Sequence, residues 1–109
     1  MLAYSGTNQV MTIDLHIHST FSDGSKSPSE IVALSVQSGL STVALTDHDT
    51  MDGTAEFMAA AEREGIEAIP GLELSVVHRG KPLHILGFYL DADNAKLQLG
   101  LASIQQARE

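Results

Sequence analysis

The 109-residue sequence predicts an α/β fold, and three observations carry that expectation. Short apolar runs of strand length alternate with stretches that have helix starts, helix stops and helical periodicity. The run "STVALT" at 41–46 is apolar almost throughout, as strands covered on both faces of a parallel sheet are. After residue 70 the rhythm changes to two extended runs around Arg79-Gly80, the pattern of a β-hairpin.

Residues 11–18 read as the first strand, with Ile13, Leu15 and Ile17 on one face and Asp14, His16 and His18 on the other. "SPSE" at 27–30 starts a helix: Ser27 is the N-cap, Pro28 the first helical position, and Glu30 completes a capping box. That helix is expected to reach about Ser38, with Gly39 closing it. The second strand, 41–46, runs into the loop "DHDTMDG", where Thr50 or Asp52 is placed to cap a helix through "GTAEFMAAAERE" that Gly65 ends. "IEAIP", 66–70, is the third strand. Two consecutive βαβ units imply a parallel sheet with right-handed crossovers. The hairpin at 71–90 follows. Asp91 or Asp93 is then placed to cap a last helix, 94–109, whose Leu97, Leu101 and Ile104 make an apolar stripe that expects a core. Residues 1–10, "MLAYSGTNQV", read as a flexible leader without the features of a signal peptide, and Met11 as the start of the patterned chain, 11–109.

Composition narrows the function classes. Hydrophobic residues are 43% and charged residues 18%, an ordinary globular balance. The absence of cysteine excludes disulfides and thiolate metal sites, and it fits a reducing cytoplasm. No apolar run approaches the roughly 20 residues that cross a bilayer, so no membrane association is expected. A net charge of -8, from 14 acids against 6 bases, argues against a broad nucleic-acid surface. It leaves room for a phosphate-ester substrate if bound cations dominate the local field.

The chemistry concentrates at strand ends. "IDLHIHSTFSDG", 13–24, places His16 and His18 at alternate strand positions, on one face and roughly 6.6 Å apart, where they can converge on one ion. Asp23-Gly24 reads as a turn. "TDHD" follows the second strand directly, which puts His48 at the same sheet end as His18. Asp47 and Asp49 either cap the following helix or orient the His48 imidazole. Glu73, in "PGLELS", lies between Leu72 and Leu74, and a carboxylate so placed is costly unless paired or ligated. A turn on Arg79-Gly80 sets residue 75 opposite 84 and 73 opposite 86. Glu73 and His84 then share a face as diagonal neighbours, roughly 7–8 Å apart between their backbones. His78 falls at the hairpin tip and receives no role. A donor set of nitrogen and oxygen without sulfur suits manganese, zinc or iron.

"DLHIHSTFSDG", "ALTDHDTMDG", "IPGLELS" and "HILGFYL" resemble, in order and spacing, the first half of the polymerase and histidinol phosphatase (PHP) family, over residues 12–109. "TDHDT" and "HILGFYLD" look more like the free-standing TrpH-like phosphoesterases than the polymerase-attached domain. The resemblance implies the first strand-helix units and a hairpin of a distorted (β/α)7 TIM-like barrel, with up to three divalent metal ions at its mouth. It implies that His16, His18 and Glu73 hold one ion, that Glu73 bridges to a second with His84, and that Asp23 and His48 hold a third. It implies hydrolysis of phosphomonoesters or phosphodiesters of nucleotides or short nucleic acids by a metal-activated hydroxide. The family pattern continues with another histidine and an Asp-x-His pair, while this chain has no histidine after His84. The expectation is therefore a truncated, N-terminal portion of a PHP domain whose own activity is incomplete, and whose unfinished barrel edges favour self-association. A non-catalytic metal-binding fragment and the editing domain of a DNA polymerase are the competing readings.

Overall fold

Strand β1 (Ile13–Ile17), helix α1 (Pro28–Gln37), strand β2 (Thr42–Leu45), helix α2 (Thr54–Glu64), strands β3 (Glu67–His78) and β4 (Lys81–Phe88), and helix α3 (Ala95–Ala107) follow in that order. The computed structural model describes residues 12–107. The expected leader, the start at Met11 and the last two residues lie outside them. The four strands form one sheet in the order β1-β2-β3-β4, giving the mixed α/β fold that the sequence predicts.

The helix signals act as read. Ser27 accepts from Glu30 N while the Glu30 side chain accepts from Ser27 N, so both halves of the capping box on α1 are present. Gly39 and Gly65 take left-handed conformations after α1 and α2. Two cap assignments need correction. The N-cap position of α2 is Gly53, with no side-chain cap bond, while Thr50 Oγ1 instead accepts from Asp52 N in a local turn. At α3 the cap is Asn94, whose Oδ1 accepts from Leu97 N at 2.9 Å; Asp91 Oδ1 takes the nearby Asp93 N.

Both crossovers place their helices on one face of the sheet. Ile31 and Val32 of α1, Val43 and Leu45 of β2, and Phe57, Ala60 and Ala61 of α2 make one buried cluster. Burying a side chain such as Phe57 is worth about 1.5–3 kcal/mol, so this cluster anchors the parallel part of the sheet. All four residues of β2 are buried, as its apolar run predicts.

The third strand and the first hairpin arm, expected as separate runs, are one strand. β3 pairs parallel with β2 through Pro70 and antiparallel with β4 from Gly71 onward. Gly71 makes the exchange of partners possible, because a Cβ there would stand 2.9 Å from Gly87 O and 3.0 Å from Leu45 O. Three backbones therefore approach where only glycine fits. The hairpin turns on Arg79 (φ 52) and Gly80 (φ 77), a two-residue turn with both φ values positive, as the sheet twist favours. Its register sets Ser75 opposite His84 and Glu73 opposite Leu86, as expected.

The apolar stripe of α3 finds part of its core within this chain. Leu101 is buried with Met51 and Leu72, and Leu97 packs against the same cluster. Gln105 Nε2 donates to the Asp49 carbonyl at 2.7 Å, which ties α3 to the loop after β2.

Candidate metal centre

Four histidine side chains converge on Glu73. His16 lies in β1, at an irregularity in its pairing with β2 between Asp14 and Ile17. His18 follows the end of β1, His48 the end of β2, and His84 sits on β4. Glu73 stands just past the point where β3 leaves its parallel partner. Glu73 is 4% exposed.

The two oxygens of Glu73 serve different neighbours. Oε1 lies 2.8 Å from His16 Nε2, 2.7 Å from His18 Nε2 and 3.8 Å from His48 Nε2. Oε2 lies 2.8 Å from His84 Nδ1. Asp23 adds a second carboxylate, with Oδ1 2.7 Å from His18 Nδ1 and Oδ2 3.3 Å from His48 Nε2. The rings of His18 and His48 stand 4.4 Å apart at 65°, and those of His48 and His84 5.2 Å apart at 71°. Burial alone would raise the Glu73 carboxyl, but hydrogen bonds from His16 and His18 and the charge of His48 outweigh it and hold it below its ordinary range. At Asp23 burial is again opposed, by the bond to His18 and the charges of His18 and His48, and the carboxyl is lowered.

This donor set fits divalent cations. Three groups have donor atoms within 4.8 Å of one another: His16, His18 and Glu73; His18, Asp23 and His48; His48, Glu73 and His84. Two donors on one tetrahedral ion stand roughly 3.4 Å apart at metal–ligand distances near 2.1 Å, within the 2.7–3.8 Å range of the spacings above. Both ring nitrogens of His18 face a carboxylate oxygen. A neutral imidazole has one N–H and can donate to only one of them; an imidazolium, or a cation on one nitrogen, satisfies both.

Neighbouring groups set these positions. Asp47, expected as a helix cap or an imidazole orienter, is 1% exposed and accepts from Ser19 N at 2.6 Å, Ser19 Oγ at 2.6 Å and Ser22 Oγ at 2.7 Å. It thereby folds the loop after β1 across the end of β2 and delivers Asp23. Gly24 completes that loop, since a Cβ there would overlap the His18 carbonyl. Asp49, with φ 56, directs Oδ1 to Ser75 N at 2.8 Å. Ser75 Oγ in turn stands 3.5 Å from His48 Nδ1. Asp49 thus reaches His48 by way of Ser75.

All six expected ligand residues meet in this cluster, and His78 stays exposed at the hairpin tip. Ser19, Ser22, Ser75 and Gln105 escaped the sequence reading. Ser75 carried a signal, being two residues after Glu73 on the same strand face. Gln105 carried none, because its contact depends on how α3 docks. An open cavity of about 610 Å³ adjoins the cluster, walled by Phe21, Asp23, His48, Asp52 and His84.

Comparison with known proteins gives a consistent picture. The PHP domain model matches residues 14–108. A 5'-3' exoribonuclease of Haemophilus influenzae is 43% identical over 96 residues, which cover 88% of this chain and 35% of that protein. A 3',5'-nucleoside bisphosphate phosphatase of Chromobacterium violaceum is 42% identical over 96 residues, 88% of this chain and 34% of that one. A crystal structure from Bifidobacterium adolescentis, proposed to be a metal-dependent phosphoesterase, superposes with a TM-score of 0.85 at 33% identity, over 92% of this chain and 35% of its own. The chain spans about a third of the length of the curated relatives it matches.

Proposed function

The chain belongs to the PHP domain family, and from that membership we propose that its cluster is the metal centre of a phosphoesterase. It acts on phosphomonoester or phosphodiester bonds of nucleotides or short nucleic acids. His16, His18 and Glu73 hold one divalent cation, Glu73 and His84 a second, and Asp23 and His48 a third. Manganese, zinc or iron suits these donors. The observation that carries this reading is the division of Glu73: one oxygen faces His16 and His18, the other faces His84. A carboxylate presenting both oxygens to opposite imidazole sets is arranged to bridge two ions.

Bound cations would supply an activated water at neutral pH and a positive charge for the phosphate oxygens. The chain's residues place that chemistry. Glu73, nearly buried, keeps its carboxylate ionised through its histidine neighbours. Ser75 and Asp49 steady His48, and Asp47 holds the loop that carries Asp23. Six donor residues cannot give three ions four protein ligands each, and the one-third coverage of the relatives supports reading the chain as the N-terminal portion of a longer PHP domain. Among the described residues no helix is long and apolar enough to cross a membrane. The cysteine-free sequence supports a cytoplasmic location.

The test is hydrolysis of bis(p-nitrophenyl) phosphate and of a 3',5'-nucleoside bisphosphate by the chain, stripped of metal and then reloaded with manganese. Metal-dependent turnover that Glu73→Gln abolishes supports the reading. Tight metal binding without turnover of either ester supports a metal-binding fragment instead.

A further inference from the structure

The cavity beside the cluster has an unusual wall. Asp23, Asp49 and Asp52 line it, and among the described residues no lysine or arginine does. Away from the cations, a second phosphate would meet carboxylates and the neutral Ser22, Thr50, Ser75 and Gln105, with no cationic side chain to balance its charge. Sugar hydroxyls and base amino groups would meet acceptors. The apolar part of the wall is Phe21, an aromatic side chain left 45% exposed.

Gly53 explains how that ring is held. It occupies the N-cap position of α2 with an ordinary negative φ (-86), so its backbone does not require glycine. Ser, Thr, Asn or Asp there would cap the helix. A Cβ at that position would stand 2.9 Å from Phe21 Cδ2 and 3.1 Å from Pro28 Cγ. The missing side chain is the space against which the Phe21 ring lies. One part of the ring is thus seated against Gly53, and the rest is open to the cavity that shares Asp23, His48 and His84 with the cluster.

We propose that Phe21 is the base-stacking platform of a nucleoside subsite beside the metal cluster. This rests on the phosphoesterase reading and adds to it the orientation of the substrate. The scissile phosphate sits at the histidines, the base lies on Phe21, and any second phosphate points elsewhere. Stacking on an aromatic ring tolerates any base, because every base has a π-face. The subsite therefore selects nucleotides over sugar phosphates without selecting among bases.

The experiment is calorimetric titration of the manganese-loaded chain with adenosine 5'-monophosphate and with ribose 5-phosphate. The nucleotide is expected to bind roughly 5- to 150-fold more tightly, the equivalent of ~1–3 kcal/mol for one stacked base. Phe21→Ala should remove that preference and leave ribose 5-phosphate within about twofold. Phe21→Tyr should keep it, and Gly53→Ala, which displaces the ring, should reduce it. Melting curves confirm that each variant is folded. Equal affinity for the two ligands in the unsubstituted chain overturns the platform and leaves the metal centre standing. Equal weakening of both ligands by Phe21→Ala overturns it too, by showing a structural role alone. Failure of either ligand to bind in the presence of manganese overturns the metal-centre reading and the platform with it.

Discussion

Glu73 and His48 face each other in a parallel bridge that extends the sheet beyond the end of β2. Glu73 N–H donates to the Asp47 carbonyl at 3.0 Å, and Asp49 N–H donates to the Glu73 carbonyl at 3.0 Å. Two backbone hydrogen bonds thus clamp the residue between the aspartates to the carboxylate at the centre of the cluster. The side chains meet because the chain on either side of His48 is paired with β3, not because a loop happens to pass nearby.

Replacing Glu73 by glutamine keeps its shape and removes its charge. Loss of an outer hydrogen-bond partner costs a metal site about 10–100-fold in affinity. Loss of the central carboxylate is expected to cost no less than the upper end of that range. His78→Ala, at the exposed tip, should leave manganese binding unchanged in the same titration. Comparable losses for both variants would mean that the cluster around Glu73 is not where the metal binds.

Asp47 is a positioning residue with a separable signature. Asp47→Ala leaves the buried Ser19 N–H and hydroxyl without their acceptor. Each orphaned buried donor costs roughly 1–3 kcal/mol. Urea unfolding of the metal-free variant should therefore show a lower midpoint with an unchanged slope. Metal affinity should also fall by about 10–100-fold, because the Asp23 loop is no longer tied to β2. A stable variant with full metal affinity would show that Asp23 is placed by other contacts.

Gly24→Ala forces a clash with backbone, not with a movable side-chain tip, since the new Cβ would overlap the His18 carbonyl. The loop must shift, at a cost of at least ~1–3 kcal/mol, typical of overpacked sites. The shift should separate Asp23 from His18 and His48. Histidine ring resonances in NMR spectra should move at positions 18 and 48 and stay in place at the remote His78. Unchanged resonances at 18 and 48 would mean that the loop accepts the methyl without moving Asp23.

Much of this was legible where local chemistry dictates local structure. The Ser27–Glu30 box, the Arg79-Gly80 turn and the register that sets Ser75 against His84 depend on near neighbours, and the structure repeats them. The convergence of His16 with His18 followed from strand alternation. What stayed hidden depends on contacts between distant segments. Asp47 is adjacent to His48 in sequence but serves Ser19 and Ser22. Gly53 resembles a poor cap until Phe21 is seen against it. The continuity of β3 was missed because Pro70-Gly71 reads as a break, whereas Gly71 admits two neighbouring backbones at once. The docking of Leu101 on Met51 and Leu72 was likewise invisible, since an apolar stripe does not say which surface receives it.

With Leu101 of α3 docked within the chain, the sheet edges remain as the source of the self-association expected from the sequence. β1 and β4 each pair on one side only among the described strands. Unpaired strand edges are templates for other chains unless charge, proline or a bulge blunts them. On β1 the irregularity between Asp14 and Ile17 and the charge of Asp14 do so. On β4 Lys81 and Pro82 protect only the first positions. Beyond them Leu83, Ile85 and Leu86 are 46%, 48% and 37% exposed. Covering two such side chains fully is worth at most ~1.5–3 kcal/mol each, enough for weak association but not for a tight dimer. Sedimentation velocity should therefore show a species distribution that shifts toward dimers as concentration rises over the micromolar range. Ile85→Lys places a charge in the middle of the β4 edge and should return the chain to monomer. It should leave manganese affinity unchanged, because Ile85 points to the opposite face from His84. A monomer at all concentrations, or association that Ile85→Lys does not alter, would show that the β4 edge is not the contact.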